Sequence, residues 1–442
     1  MEGEQQKTSI TTLTVYSKAH SPRLVYVLDW LLKEVFQLDY QIVVDTLVVK
    51  PDIPAISYGK NIPGCITIPD EGLLWQQGAS SFSFSEGEWQ QIPIFFLQQS
   101  NYSLPFDLFS AIFFFLSRYE EYLPFIPDKH GRFPAEESVC FKRNILERPI
   151  VDEWVKLFSA ILQTNGIGIH KNHFRFYPSY DIDIAYSFLH KGFMRSIGAW
   201  AKDLWVGNFS SVLSRLSVLT LNAKDPFDCF DWLDFVHKKL GLHPFVFVLA
   251  ALQTTQFDKN NLPKISAMKK LIVHFSASGI LGIHPSYFST SDDIFKSEKS
   301  ILETISKSKI TQSRQHYLRM ALPLTYRRLL SHGITDDWTM GYGSQLGFRA
   351  GTGRSFLWYD LEKEATTQLR VHPFCFMDST AHWELKLNVS EAFERLEKMK
   401  QYLIDTQSEF VTVFHNFSLG SDPQWKGWPE AYQKFLEGVI TV

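Results

Sequence analysis

The rhythm of apolar and polar residues changes near residue 170. Before it, short runs such as "TLTVYS" and "YQIVVDTLVV" have the composition of strands. "LPFDLFSAIFFFLSRYEEYL" predicts a helix entered at Pro105 and Asp107, and "IVDEWVKLFSAIL" repeats apolar residues at helical spacing, with the turn-rich "IPDKHGRFPAEES" between them. Polar "QTNGIGIHKNH" (163–173) is the expected boundary. From residue 174 strand-like and helical runs alternate: "FRFYPSYDIDI", helical "CFDWLDFVHKKLG", "PFVFVLA", helical "AMKKLIVHFSASG", "ILGIHPSY", "SRQHYLRM", helical "PLTYRRLLSHG", "QLRVHPFCFMD", helical "VSEAFERLEKMKQYLI" and "FVTVFHNFSL". Such alternation predicts an α/β layer fold or a (β/α) barrel over 174–442, preceded by a smaller α/β domain over 1–165.

Ionisable residues recur where the strand-like runs end: Asp181 and Asp183, His284, His316, Asp378 and His415. In a barrel that rim collects active sites. Residues i and i+2 of a strand share a face, so Asp181 and Asp183 stand side by side and repel unless a cation lies between them. With a divalent metal, one carboxylate binds it while the other takes a proton from the attacking water. The plain alternative is a pair of aspartates capping the next helix. His316 shares a strand face with Arg314 by period two, and any one of the histidines alone reads as structural. Together with the aspartates they supply a mixed Asp/His ligand set and a spare acid.

Composition narrows the partners. A formal net charge of −3, with no long Lys/Arg run, argues against a nucleic-acid surface. Aromatic residues at 15% suffice for a large core and suit a ring-binding cleft. The N-terminus lacks the basic start and apolar stretch of an export signal, and no window reaches about 18 uninterrupted apolar residues. The cysteines (Cys65, Cys140, Cys229, Cys375) are scattered without CxxC spacing, as in reduced core thiols. The expectation is a cytoplasmic protein without a membrane span.

The order Asp-x-Asp, His, Arg, Asp, His resembles the polysaccharide deacetylases of the NodB-homology fold over about residues 174–440. The resemblance implies an irregular (β/α) barrel that removes N- or O-linked acetyl groups from a carbohydrate, with one divalent metal: zinc first, with cobalt, nickel or iron as alternatives. On it Asp181 matches the base and Asp183 a metal ligand, and "HPFVFVLA" matches the second strand. "LGIHPSYFS" matches the segment that usually reads His-x-x-x-His. Here His284 keeps the first ligand, but Phe288 stands at the second, and His316 is the candidate replacement. Arg314 matches the family's arginine, with Arg349 of "GFRAGTG" as rival and substrate-side candidate. Asp378 matches the acid that orients the catalytic histidine, and His415 the general acid. Asp337 falls near a further family aspartate, and Tyr287, Trp338 and Tyr342 are candidate sugar-stacking rings.

Two rivals stand beside the acetyl-sugar hydrolase. One is an inactive binding or scaffold protein that keeps the fold, for which Phe288 is the argument. The other is a metal-dependent hydrolase of a small non-sugar amide using the same residues.

Overall fold

The computed structural model describes residues 12–50, 52–98, 101–191, 209–221 and 223–440. The opening residues, on which the expectation about an export signal rests, lie outside them. Among the described residues no helix is long and apolar enough to cross a membrane.

The first part is built on a parallel sheet of β1 (Leu13–Tyr16), β2 (Tyr40–Val43), β3 (Ala55–Tyr58) and β4 (Ile66–Ile68), in the order β2-β1-β3-β4. Helix Leu108–Leu116 starts where Asp107 accepts from the Ser110 amide, and all nine of its residues are buried. A helix apolar on every side needs partners on every side. It finds them in β3 (through Tyr58), in the hairpin of β5 (Glu86–Trp89) and β6 (Ile92–Phe95), and in helix Ile150–Thr164.

The second part carries one large sheet, of β7 (Arg175–Ile182), β8 (Phe245–Leu249), β9 (Ile280–His284), β10 (Gln312–Ser313), β11 (Asp336–Asp337), β12 (Phe356–Asp360), β13 (Ala365–Val371), β14 (Phe376–Met377) and β15 (Glu409–His415). Its order is β12-β13-β11-β10-β9-β8-β7-β15-β14, parallel throughout except for the β12–β13 hairpin. Among the described residues no strand pairing joins β14 to β13. The sheet is nevertheless strongly rolled. Three strand spacings, roughly 14 Å on a flat sheet, would separate β10 from β7. Yet Arg314, next after β10, hydrogen-bonds Ser179 and Asp181 of β7 directly.

Two expectations change here. The run "SRQHYLRM" is not a strand beyond Ser313: His316 opens a short 3-10 turn, so strand periodicity does not govern its direction. The β12–β13 hairpin was not anticipated, because its turn, "DLEKEA", is rich in helix-favouring residues. The Asp360 carboxylate makes that turn by accepting the Glu362 and Lys363 amides.

The two parts share one connected apolar core. Buried polar links add to it: Arg23 to Glu364, Glu121 to Arg349, and Asp152 to Thr352 and the Gly353 amide.

Candidate active site

Parallel register brings the strand ends together. His415 lies opposite Asp181 across β15 and β7, and His284 ends β9 opposite Leu249 of β8. Asp183 follows one residue past β7. Three imidazoles face its carboxylate: Nε2 of His284 is 3.1 Å from Oδ1, and Nε2 of His415 and of His316 are 3.5 and 3.6 Å from Oδ2.

Each ring is held by its other nitrogen. His284 Nδ1 donates to the Arg314 carbonyl at 2.6 Å, which fixes the tautomer and leaves Nε2 for binding. His316 Nδ1 lies 3.0 Å from Asp258, and His415 Nδ1 lies 2.6 Å from Asp378. Burial favours the neutral forms of Asp183 and His316, but their mutual attraction prevails. Asp183 is held well below the usual carboxylate range, chiefly by His316 and also by His284, while Asp183 and Asp258 lift His316 to about 9.

These residues fit a divalent metal. One atom each from Asp183, His284 and His316 lie within 4.8 Å of one another. Asp183 Oδ1 is buried and accepts no aligned hydrogen bond, as a carboxylate reserved for a cation would be. One oxygen and two nitrogens are donors suited to zinc and neighbouring transition metals, with room for further ligands.

On one side of this cluster Asp181 accepts from Arg314 Nη1 at 2.8 Å through Oδ1, while its Oδ2 lies 3.9 Å from His284. Arg314 is wholly buried and spends its other donors on Ser179 and the Trp338 carbonyl. On the other side Asp378 accepts from the His415 ring, the His415 and Ser379 amides and the Ser418 hydroxyl. Burial pulls the His415 imidazole down, but Asp378 foremost among the nearby acids raises it to about 9, so it is charged at neutral pH. The cluster floors a cleft of about 580 Å³, walled by Phe257, Tyr317, Trp383 and Phe417 and by a loop of the N-terminal part that includes Asp128–Arg132.

All seven residues expected to carry metal chemistry or proton transfer are thus brought together. The five expected to touch substrate are not brought to the cleft wall. Tyr287 stacks on Phe257 at 3.8 Å and its hydroxyl meets His130. Trp338 is sandwiched between Phe245 and His372, with its indole N–H on Gln312. Asp337 accepts from Tyr326 and Thr339, Arg349 forks onto Glu121, and Tyr342 lies beneath the Arg349 guanidinium. Trp338 and Tyr342 were expected to be exposed, and both are buried. Phe288 is 46% exposed and contacts Phe257 and Tyr287. Sequence reasoning missed Asp258, the aromatic wall of Trp383 and Tyr317, and the loop around His130. The available signal was "TTQFDKNN", a polar stretch directly beyond a strand end.

A family model described as "Family of unknown function (DUF7033)" matches residues 13–166, about a third of the 442 residues. No curated protein matches the chain. Among solved structures, similarity is found to a Mycobacterium smegmatis protein assigned to the polysaccharide deacetylases, at 12% identity and TM-score 0.40, covering 62% of this chain and 86% of that one. A polysaccharide deacetylase of Bacillus cereus matches at 12% identity and TM-score 0.29, covering 61% and 88%. An allantoinase matches at 11% identity and TM-score 0.38, covering 61% and 85%. Scores this low leave the functional reading to the site itself.

Proposed function

We propose that the chain is a metal-dependent hydrolase that removes acetyl groups, N- or O-linked, from a carbohydrate, on an irregular barrel formed by residues 174–442. The observation that carries the reading is the convergence of Asp183, His284 and His316 between an arginine-paired aspartate and an aspartate-held histidine. A divalent ion held by those three residues would supply Lewis acidity towards the substrate carbonyl and the attacking water.

The chain's own groups do the rest. Asp181 takes the water's proton on Oδ2, while Arg314 balances its charge through Oδ1. His415 donates its Nε2 proton to the departing nitrogen or oxygen, and Asp378 holds the ring in place at Nδ1. Trp383, 49% exposed and stacked on Phe417, offers a flat apolar face for a sugar ring. The same base, acid and ligands would serve a small non-sugar amide, so the substrate panel includes both classes.

The first test is element-resolved metal stoichiometry of the purified protein and of His316→Ala. About one equivalent of a divalent transition metal, lost in the variant, supports the reading and opens assays on acetylated sugars and small amides. No metal after incubation with zinc, cobalt and nickel rejects it in favour of an inactive binding protein.

A further inference from the structure

His316 is followed by two residues in the left-handed region, Tyr317 at φ 56° and Leu318 at φ 51°. Neither is glycine, and consecutive bulky residues hold that conformation only where their surroundings impose it. The turn's own bonds, Leu318 N–H to the Gln315 carbonyl and Arg319 N–H to the His316 carbonyl, leave the Tyr317 carbonyl facing outward. Its partner comes from the other part of the chain: Arg132 Nη1 donates to it at 2.6 Å.

The arginine is fixed before it reaches that carbonyl. Asp128 accepts from Arg132 Nε and Nη2, both at 2.7 Å, and from the amides of His130 and Arg132. A return contact locks the pair, since Arg319 donates to the His130 and Tyr287 carbonyls. The guanidinium has room because residue 343 is glycine: a Cβ there would stand 2.5 Å from Nη1.

We propose that the loop Asp128–Arg132 is a positioning element of the metal centre, and that Arg132 sets the backbone which aims His316 at Asp183. Asp258 orients the ring and Arg132 fixes the turn that carries it. The matched family of unknown function thereby acquires a task in this chain: completing the ligand set supplied by the other part. The inference rests on the proposed metal site, and its test separates the two.

Metal-free full-length protein is titrated with Co²⁺ alone, followed by visible absorption, and with Zn²⁺ against a chromophoric chelator. Arg132→Met, which keeps the side chain's stem, and Gly343→Ala, which displaces the guanidinium without removing it, should each weaken binding about tenfold or more. Arg132→Lys should recover part of the loss. Hydrogen–deuterium exchange of metal-free protein should rise across residues 316–319 in both variants and stay unchanged across β15. Wild-type affinity in both variants, with His316→Ala unable to bind, overturns the positioning role alone, and so does unchanged exchange at 316–319. A wild-type protein that takes up neither ion, or a His316→Ala variant that binds as well as wild type, overturns the metal centre and the positioning role together.

Discussion

Arg314 is the residue whose loss the structure makes most predictable. Its guanidinium is fully buried and makes three hydrogen bonds, to Asp181, to the Ser179 hydroxyl and to the Trp338 carbonyl. Arg314→Met keeps an apolar stem over Phe247 but leaves Asp181, 2% exposed, as a buried charge without its counter-ion. Breaking such a pair from one side costs about 3–5 kcal/mol. At roughly 2.1 cal/mol/K of unfolding entropy per residue, a chain of 442 residues melting as one unit would lose about 3–5 °C in Tm. If residues 174–442 melt separately, the fall is about 5–9 °C. Scanning fluorimetry with calorimetry reads either case. The decisive arm is Arg314→Met combined with Asp181→Asn, which removes the stranded charge and should regain at least about half of the loss. A single variant costing under about 1 kcal/mol, or a double variant no more stable than the single, would refute the assignment of this pair as the site's buried electrostatic anchor.

Asp258→Asn should lower zinc affinity about ten- to a hundredfold, measured by chelator competition, because it weakens the acceptor that orients the His316 ring; unchanged affinity would make that contact incidental. His237 gives a pH signature away from the site. Burial drops its pKa from the usual 6.5 to about 4, and its Nε2 meets the Tyr180 hydroxyl at 2.7 Å. The unfolded chain takes up this proton near pH 6.5 and the folded one only near 4, so the contribution is complete above about 6.5 and disappears as pH falls towards 4. That shift is worth about 3 kcal/mol, and His237→Phe should flatten the dependence of the urea midpoint between pH 7 and 4.5. An unchanged slope would place the acid sensitivity elsewhere.

The parts of the site that the sequence exposed lie where an apolar run stops at an ionisable residue. Asp181, His284 and His415 each sit at or next to the last residue of a strand, and the strand period correctly turns Asp181 and Asp183 into one cleft. His316 was found by its place in the order, although β10 proved too short for the periodicity first applied to it. Asp258 had no such marker. It sits in a loop, placed by the Thr255 hydroxyl and the Tyr287 amide, and only tertiary contacts identify it. The misjudged substrate residues share a different cause. A charged or aromatic residue beyond a short strand looks available in one dimension, but Glu121, 228 positions away, already occupies Arg349, and the rings of Phe245 and His372 enclose Trp338.

Phe288 and the N-terminal loop can be understood together. A ligand four residues after His284 would take its direction from the same short segment, and Phe288 instead joins Phe257 and Tyr287 in an aromatic cluster. The third donor then has to come from the neighbouring strand, where only Gln312 and Ser313 are paired before the chain turns. A two-residue strand cannot by itself fix the direction of a side chain three residues beyond it, because each intervening residue adds two soft dihedrals. Asp258 constrains the ring from one side, and Arg132 constrains the backbone from the other. On this logic a donor relocated to an irregular turn requires outside support, and the first part of the chain is placed to give it. The two parts would then be coupled through the chemistry of the site as well as through their shared core.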